Sequence, residues 1–202
     1  MYTRRKFLAH SALGSIAAVA GATTGTSCAN TPAPVPNPIL KIAPPLVLST
    51  WDFGKKANAA AWNVLSKGGN SLDAVEQGVM VIEADPENQS VGIGGLPDRD
   101  GRVTLDACIM DSKGNAGSVS ALEHIVHPVS VARMVMEKTP HVMLVAEGAL
   151  QFALAQGFKK ENLLTEKSRQ DWEEWKIESK YDPEINVEKH DTIGMIAIDS
   201  AG

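Results

Sequence analysis

Residues His190, Asp191 and Thr192 place an imidazole, a carboxylate and a hydroxyl side by side, directly ahead of the apolar run Ile193–Ile198. A hydroxyl is a weak nucleophile and needs a base to take its proton. The usual base is a histidine oriented by a carboxylate, often serving a serine in a G-x-S-x-G turn. No such turn occurs, and the only histidines are His10, His124, His127, His141 and His190. H-E-x-x-H, C-x-x-C and EF-hand spacings are missing as well. His124 and His127 stand three apart without a third ligand, so neither a metal nor a cofactor is expected. The stretch VGIGG (91–95) does not complete G-x-G-x-x-G and precedes no helix that would receive a phosphate.

A threonine has another route to a base: it can be the first residue of a chain and use its own amine. That amine has an unperturbed pKa of about 7.7–8.0, so a useful fraction is neutral near physiological pH. A lysine, at roughly 10.4, would need a large shift to do the same. Thr192 becomes N-terminal only if the Asp191–Thr192 peptide bond is broken. Without that cleavage, Thr192 is an ordinary β-former and His190 only shapes the segment before it.

The elements that must position Thr192 can be read along the chain. Residues 45–50 (PLVLST) form a short buried strand that delivers Trp51 and Asp52. An Ala-rich helix over 55–69 is closed by Gly68-Gly69, and a second over 70–86 has Asn70 as N-cap and Pro86 as its stop. Residues 89–101 form a Gly-rich loop in which Asp98, like Asp52, is a structural carboxylate. The strand 102–111 puts Val103, Leu105, Ala107 and Ile109 on one face and pairs as a hairpin with 116–122. A helix over 128–140, a strand over 141–146 and a helix over 147–158 follow. The charged helix 168–180 takes Ser168 as N-cap, with Trp172 and Trp175 on one half-buried face. A polar linker, 181–191, leads to Thr192. The last strand, 193–199, is apolar on both faces and therefore expected to be central. The order implies an α/β (α+β) domain with helices packed on a sheet, not a regularly alternating parallel fold.

Residues 1–30 stand apart from this body. Arg4, Arg5 and Lys6 precede a Gly/Ala-rich run, and no acidic residue occurs before Asp52. This is the pattern of an export signal, too small-sided for a membrane span, and TRRKFL is similar to the twin-arginine type. Ala20–Ala22 offers a cleavage site; Cys28 offers the alternative of a lipid anchor. The expected localisation is periplasmic or secreted. Residues 31–44 read as a Pro-rich spacer, 45–191 as the first functional chain and 192–202 as the start of a second. Removing the three leader cations lowers Lys+Arg from 19 to 16 against 24 Asp+Glu, a net charge of −8. An acidic body of this kind excludes nucleic acid as an expected partner. Cys108 is alone in the body, so no internal disulfide is expected there.

The segments LVLSTWDFG, GGNSLDAVEQG, SVGIGGLPDRDG, TLDACIMD, VARMVMEKTPHVMLVAEGA and HDTIGM together resemble the N-terminal chain of the glycosylasparaginases, members of the N-terminal nucleophile hydrolases. GGNSLDAV is shared with the plant-type asparaginases; VGIGGLPDRDG and HDTIGM favour the glycosylasparaginase branch. The resemblance implies a four-layer αββα sandwich, incomplete in this chain. It implies self-cleavage before Thr192, with Asp191 helping to deprotonate the hydroxyl and His190 taking part in the autoproteolysis. Thr192 would then attack the side-chain amide of a glycosylated asparagine, with Trp51 at the mouth of the site. Expected partners are that substrate, the second chain of the same precursor and a second α/β pair in a homodimer. The family's oxyanion-hole donors and substrate-carboxylate ligands match no residue here. The chain is therefore expected to be a fragment, to bury its last strand poorly and to lack amidase activity alone. An isoaspartyl peptidase/L-asparaginase of the same fold, or a truncated non-catalytic exported protein, remain the alternatives.

Overall fold

The computed structural model describes residues 43–178 and 192–202. The expected export signal, the spacer as far as residue 42 and the linker carrying His190 and Asp191 lie outside the described residues. Among those described, the chain is mixed α/β, with helices laid on two separate sheets.

The first sheet has two strands, β1 (Leu46–Ser49) and β5 (Met195–Ile198), paired antiparallel from Leu46↔Ile198 to Ser49↔Met195. Helices α1 (Gly54–Leu65) and α2 (Ser71–Glu83) pack on it and on each other. Small residues at helical spacing make this close. α1 buries Gly54, Ala57, Ala61 and Leu65, and α2 buries Ala74, Gly78 and Ile82. A Cβ at Gly78 would lie 2.9 Å from the Ala57 carbonyl oxygen and 2.6 Å from Met195 Sδ. Glycine is thus required where both helices and β5 meet. Asn70 caps α2 as expected: its Oδ1 accepts the Asp73 N–H at 2.8 Å.

The second sheet has the order β2 (Leu105–Met110), β3 (Ala116–Leu122), β4 (Met143–Val145). The β2–β3 hairpin turns through Asp111, whose Oδ1 accepts the N–H groups of Lys113 and Asn115. β4 runs parallel to β3, because α3 (Pro128–Lys138) forms a crossover between them. α3 and α4 (Ala146–Ala155) cover the sheet around Ile109, Val119, Leu122, Val131, Val135 and Leu150. Leu72, Val75 and Val79 of α2 pack against the same cluster, while Ala74 belongs to the cluster under β1 and β5. Helix α2 therefore serves both sheets. None of the helices among the described residues is long and apolar enough to cross a membrane.

Three local expectations need correction. β2 starts at Leu105, not Arg102, and its ladder with β3 carries an irregularity: Leu105 faces Leu122 but Ala107 faces Val119. The additional β3 residue is accommodated at Ala121, with φ 50°, whose N–H is taken by Asp106 Oδ1 at 2.8 Å. The charged helix α5 spans Glu166–Glu178, and its first turn is capped by Thr165 Oγ1, which accepts the Ser168 N–H. Ser168 instead is fully buried and donates to the Gly94 carbonyl, so its burial outweighs its propensity to cap.

The third correction concerns β5. It is apolar on both faces, but it is not central among the described strands: its one neighbour is β1. Met195 and Ala197 join Val47 against Ala61, Leu65 and Ala74. The other face shows Leu48, Ile196 and Ile198 at 64%, 69% and 39% exposure. Alternation along a strand sends successive side chains to opposite faces, and no described element reaches the second face.

Candidate active site

Thr192 is exposed and lies three residues ahead of β5. Its position follows from how β5 is held. At the far end of the strand, Asp199 Oδ2 accepts the Ser71 N–H at 2.9 Å, at the start of α2. A carboxylate at a helix N-terminus satisfies an orphan donor and faces the positive end of the dipole. The Ser71 amide, followed by that of Ala201, holds the Asp199 carboxyl below its ordinary pKa. In the middle, Met195 fills the space over Gly78. At the near end, two hydrogen bonds tie Gly194 to Thr50: Thr50 N–H donates to Gly194 O at 3.0 Å, and Gly194 N–H donates to Thr50 Oγ1 at 2.9 Å.

The chain beyond Thr50 turns sharply. Trp51 has φ 64°, a backbone region that a bulky residue enters only at a cost. The turn is held by Gly54 N–H donating to the Trp51 carbonyl at 3.1 Å and by Ser49 Oγ donating to Gly54 O at 2.9 Å. A Cβ at Gly54 would collide with Ser49 Oγ at 2.3 Å, so the turn needs glycine there. The result is a large aromatic residue, 48% exposed, at the same end of the β1–β5 ladder as Thr192. Strain of this kind concentrates at functional sites, and it supports a surface role for Trp51 over a place in the core.

The C-terminal end of α2 reaches the same region. β5 runs antiparallel to α2, since Asp199 meets Ser71 and Met195 meets Gly78. Lys56, in the first turn of α1, bridges to Asp85 just past α2 at 2.7 Å. The loop that follows is fixed on two sides. Glu83 O accepts the Ile93 N–H at 2.8 Å. From α5, Gln89 Nε2 donates to Asp171, and Trp172 Nε1 donates to Arg99 O at 3.2 Å while its ring covers Gly101. The Lys176 ammonium lies 3.3 Å from the Trp172 ring centroid, and Trp175 is exposed, so the two tryptophans do not share one half-buried face. Asp98 accepts the Asp100 and Arg102 N–H groups, which hold its carboxyl below the ordinary range, as a structural loop carboxylate should be.

The expected residues divide as follows. Thr192 and Trp51 are brought to one end of one ladder. His190 and Asp191 lie outside the described residues. Asp52 makes an exposed contact with Lys55 at 3.0 Å and nothing more specific. His127 Nδ1 lies 3.2 Å from Glu83, a carboxylate that is only 2% exposed and also accepts the Val129 N–H. This pair joins α2 to the start of α3. Burial pushes the Glu83 carboxyl above its ordinary pKa, against the opposing pull of these hydrogen bonds. Among the described residues no three His, Cys, Asp or Glu side chains converge as a metal-ligand set. Sequence reasoning missed Thr50. The signal was a polar residue ending an apolar strand, which reads equally well as a plain strand terminus.

Comparison with known proteins gives this arrangement a family. A family model described as asparaginase matches residues 49–202. An N(4)-(β-N-acetylglucosaminyl)-L-asparaginase from Elizabethkingia miricola is 67% identical over 158 residues, covering 78% of this chain and 46% of that protein. The mouse protein of the same name is 38% identical over 78% of this chain and 55% of its own length. An isoaspartyl peptidase/L-asparaginase from Xenopus laevis is 40% identical over 73% of this chain and 48% of its own. The chain thus spans about half the length of the curated relatives it matches. With this coverage and identity, the chain belongs to the asparaginase family, whose fold is that of the N-terminal nucleophile hydrolases.

Proposed function

We propose that the full-length protein is a glycosylasparaginase that activates itself by breaking the Asp191–Thr192 bond. The observation that carries this reading is the 67% identity to the Elizabethkingia glycosylasparaginase, against 40–42% to isoaspartyl peptidase/L-asparaginases. The exposed position of Thr192, at the same end of the β1–β5 ladder as a strained Trp51, supports it.

In the first reaction the Thr192 hydroxyl attacks the Asp191 carbonyl carbon. The C–N bond breaks as the C–O bond forms, and the proton moves to the departing amine. Asp191's own carboxylate assists the deprotonation, and His190 takes part in this self-processing step. Water then hydrolyses the ester, leaving a carboxylate on Asp191 and a free amine on Thr192. In the second reaction that amine is the base. Thr192 Oγ1 attacks the side-chain amide carbon of the glycosylated asparagine, the glycosylamine leaves with the proton, and a β-aspartyl ester remains. Water releases aspartate and restores the hydroxyl. Trp51 stands at the mouth of the site, where a half-exposed aromatic ring can contact the substrate.

The proposal extends to the setting. The two chains of one precursor stay together, and two such pairs form a homodimer. The twin-arginine-type leader exports the protein to the periplasm or beyond, after folding and self-cleavage. The test is mass measurement and N-terminal sequencing of the expressed full-length protein. A second chain starting at Thr192, lost in Thr192→Ala, is expected. Any other start refutes the mechanism. Release of aspartate from GlcNAc-asparagine in preference to β-aspartyl dipeptides is the expected specificity; the reverse preference favours the isoaspartyl peptidase reading.

A further inference from the structure

We infer that Thr50 is a positioning residue for Thr192, acting through its side-chain hydroxyl. The inference rests on the reading of Thr192 as the nucleophile. In a regular antiparallel ladder, a hydrogen-bonded pair exchanges two main-chain bonds, N–H to O in each direction. The pair Thr50 and Gly194 makes one of these: Thr50 N–H donates to Gly194 O at 3.0 Å. The return bond from Gly194 N–H goes to Thr50 Oγ1 at 2.9 Å, in place of the Thr50 carbonyl. The hydroxyl stands in for a backbone acceptor at the point where β1 leaves the ladder.

The reason lies one residue further on. Trp51 adopts φ 64° and swings the chain into the turn closed by Gly54 and Ser49. With the backbone diverted, a side-chain acceptor keeps β5 pinned one pair beyond Ser49↔Met195, the last pair of the regular ladder. Gly194 is two residues from Thr192, so this is the anchor closest to the nucleophile among the described residues. Among the described residues, a Cβ on Gly194 would meet only Thr50 side-chain atoms, at 3.5 and 3.8 Å, so the two residues are in direct contact on this side. Valine at position 50 keeps the shape and loses the acceptor; serine keeps the acceptor and loses a methyl group.

Nucleophilic attack is sensitive to position: a displacement of about 1 Å can cost on the order of a hundredfold in rate. Loss of one hydrogen bond two residues away permits less than that. Thr50→Val in the full-length protein is therefore expected to slow self-cleavage about tenfold, followed by gel or intact mass over time, with Thr50→Ser within about twofold of wild type. In the cleaved enzyme, Thr50→Val is expected to lower kcat while KM stays within about twofold, because Thr50 acts on the nucleophile and not on substrate binding. Melting temperatures are compared in the uncleavable Thr192→Ala background, where Thr50→Val and Thr50→Ser should lie close together. Cleavage of Thr50→Val at the wild-type rate overturns the inference. So does a Thr50→Ser protein as slow as Thr50→Val, since the hydroxyl would then be irrelevant; this arm stands even if the valine variant folds poorly. A wild-type protein that never cleaves before Thr192 overturns the functional reading itself, and the two failures are distinct.

Discussion

Gly78→Ala isolates the contact on which β5 depends. Two effects oppose each other. Replacing glycine by alanine in a helix interior ordinarily stabilises by about 0.5–1 kcal/mol, because less backbone entropy is lost. Here the new Cβ would stand 2.6 Å from Met195 Sδ, 2.8 Å from Met195 Cε and 2.9 Å from the Ala57 carbonyl oxygen. Ordinary contacts begin at roughly 3.5 Å, so Met195 must retreat by about 0.7–0.9 Å and the Ala57 carbonyl by about 0.6 Å. Met195 is flexible and can move its sulfur. Ala57 O belongs to the backbone of α1, which is buried along Ala57, Ala61 and Leu65 and cannot move alone. Overpacking of this sort costs about 1–3 kcal/mol. The backbone contact puts Gly78→Ala toward the upper part of that range, and the propensity gain reduces it to a net loss of about 1–2 kcal/mol. The assay is urea unfolding of the uncleavable Thr192→Ala full-length protein with and without the substitution. Adding Met195→Ala should recover the smaller part of the loss, since the carbonyl contact remains. A neutral or stabilising Gly78→Ala refutes the reasoning: it would mean that α1, α2 and β5 do not meet as closely as described.

Four further outcomes follow from the same contacts. Asp199→Asn should weaken the tie between β5 and α2 and flatten the acid limb of stability. Asp199's carboxyl is held below its ordinary pKa, so its contribution is present above about pH 4 and is lost as pH falls through the folded value; unfolding midpoints measured against pH read this directly. Glu83 has the opposite sign. Its folded pKa is raised, so stability is greatest below its unfolded value and declines as pH rises through the folded one; Glu83→Gln should remove that decline, whereas Glu83→Ala leaves Val129 N–H unpaired and costs about 1–3 kcal/mol. Trp51→Gly should relieve the positive φ, which offsets part of the packing lost with a half-buried ring, so the net change in stability by urea unfolding stays within about 2 kcal/mol, while KM for the glycosylated substrate rises; an unchanged KM would refute the placement of Trp51 at the site. Ser168→Ala should cost about 1–2 kcal/mol, as it leaves a buried Gly94 carbonyl without its donor, and chemical denaturation measures it.

The elements were legible where local chemistry decides them. Asn70 announced α2, because a capping residue acts within a few positions of itself. Ser168 was misread because its burial against Gly94 depends on a residue 74 positions away, which no local pattern contains. β5 was expected to be central but to be poorly buried in this chain, and among the described strands it has one neighbour, β1, with Ile196 and Ile198 exposed. A run that is apolar on both faces states what the strand would bury, but not which elements arrive to cover it. Of the candidate site, the sequence motifs named Thr192 and Trp51, and the structure places both at one end of the β1–β5 ladder. Thr50 was not, since its role arises only when β1 and β5 are paired and the Trp51 turn removes a backbone acceptor.

The anchors of β5 bear on the order of events in the proposed self-cleavage. A nucleophile that attacks the bond directly behind it must be in place while that bond is still whole. Whatever positions Thr192 has to work in the uncut precursor. The described contacts meet this demand: Thr50, Gly78 and Ser71 all lie on the N-terminal side of the Asp191–Thr192 bond and hold residues on its C-terminal side. None of them needs the amine that cleavage would create. The same contacts hold after the cut, as they consist of ladder, packing and cap interactions that do not pass through the broken bond. One set of contacts can therefore position the hydroxyl for both reactions, first toward the Asp191 carbonyl and then toward the substrate amide. In the proposed mechanism, what changes between the two is the base: a carboxylate before the cut, and the Thr192 amine after it.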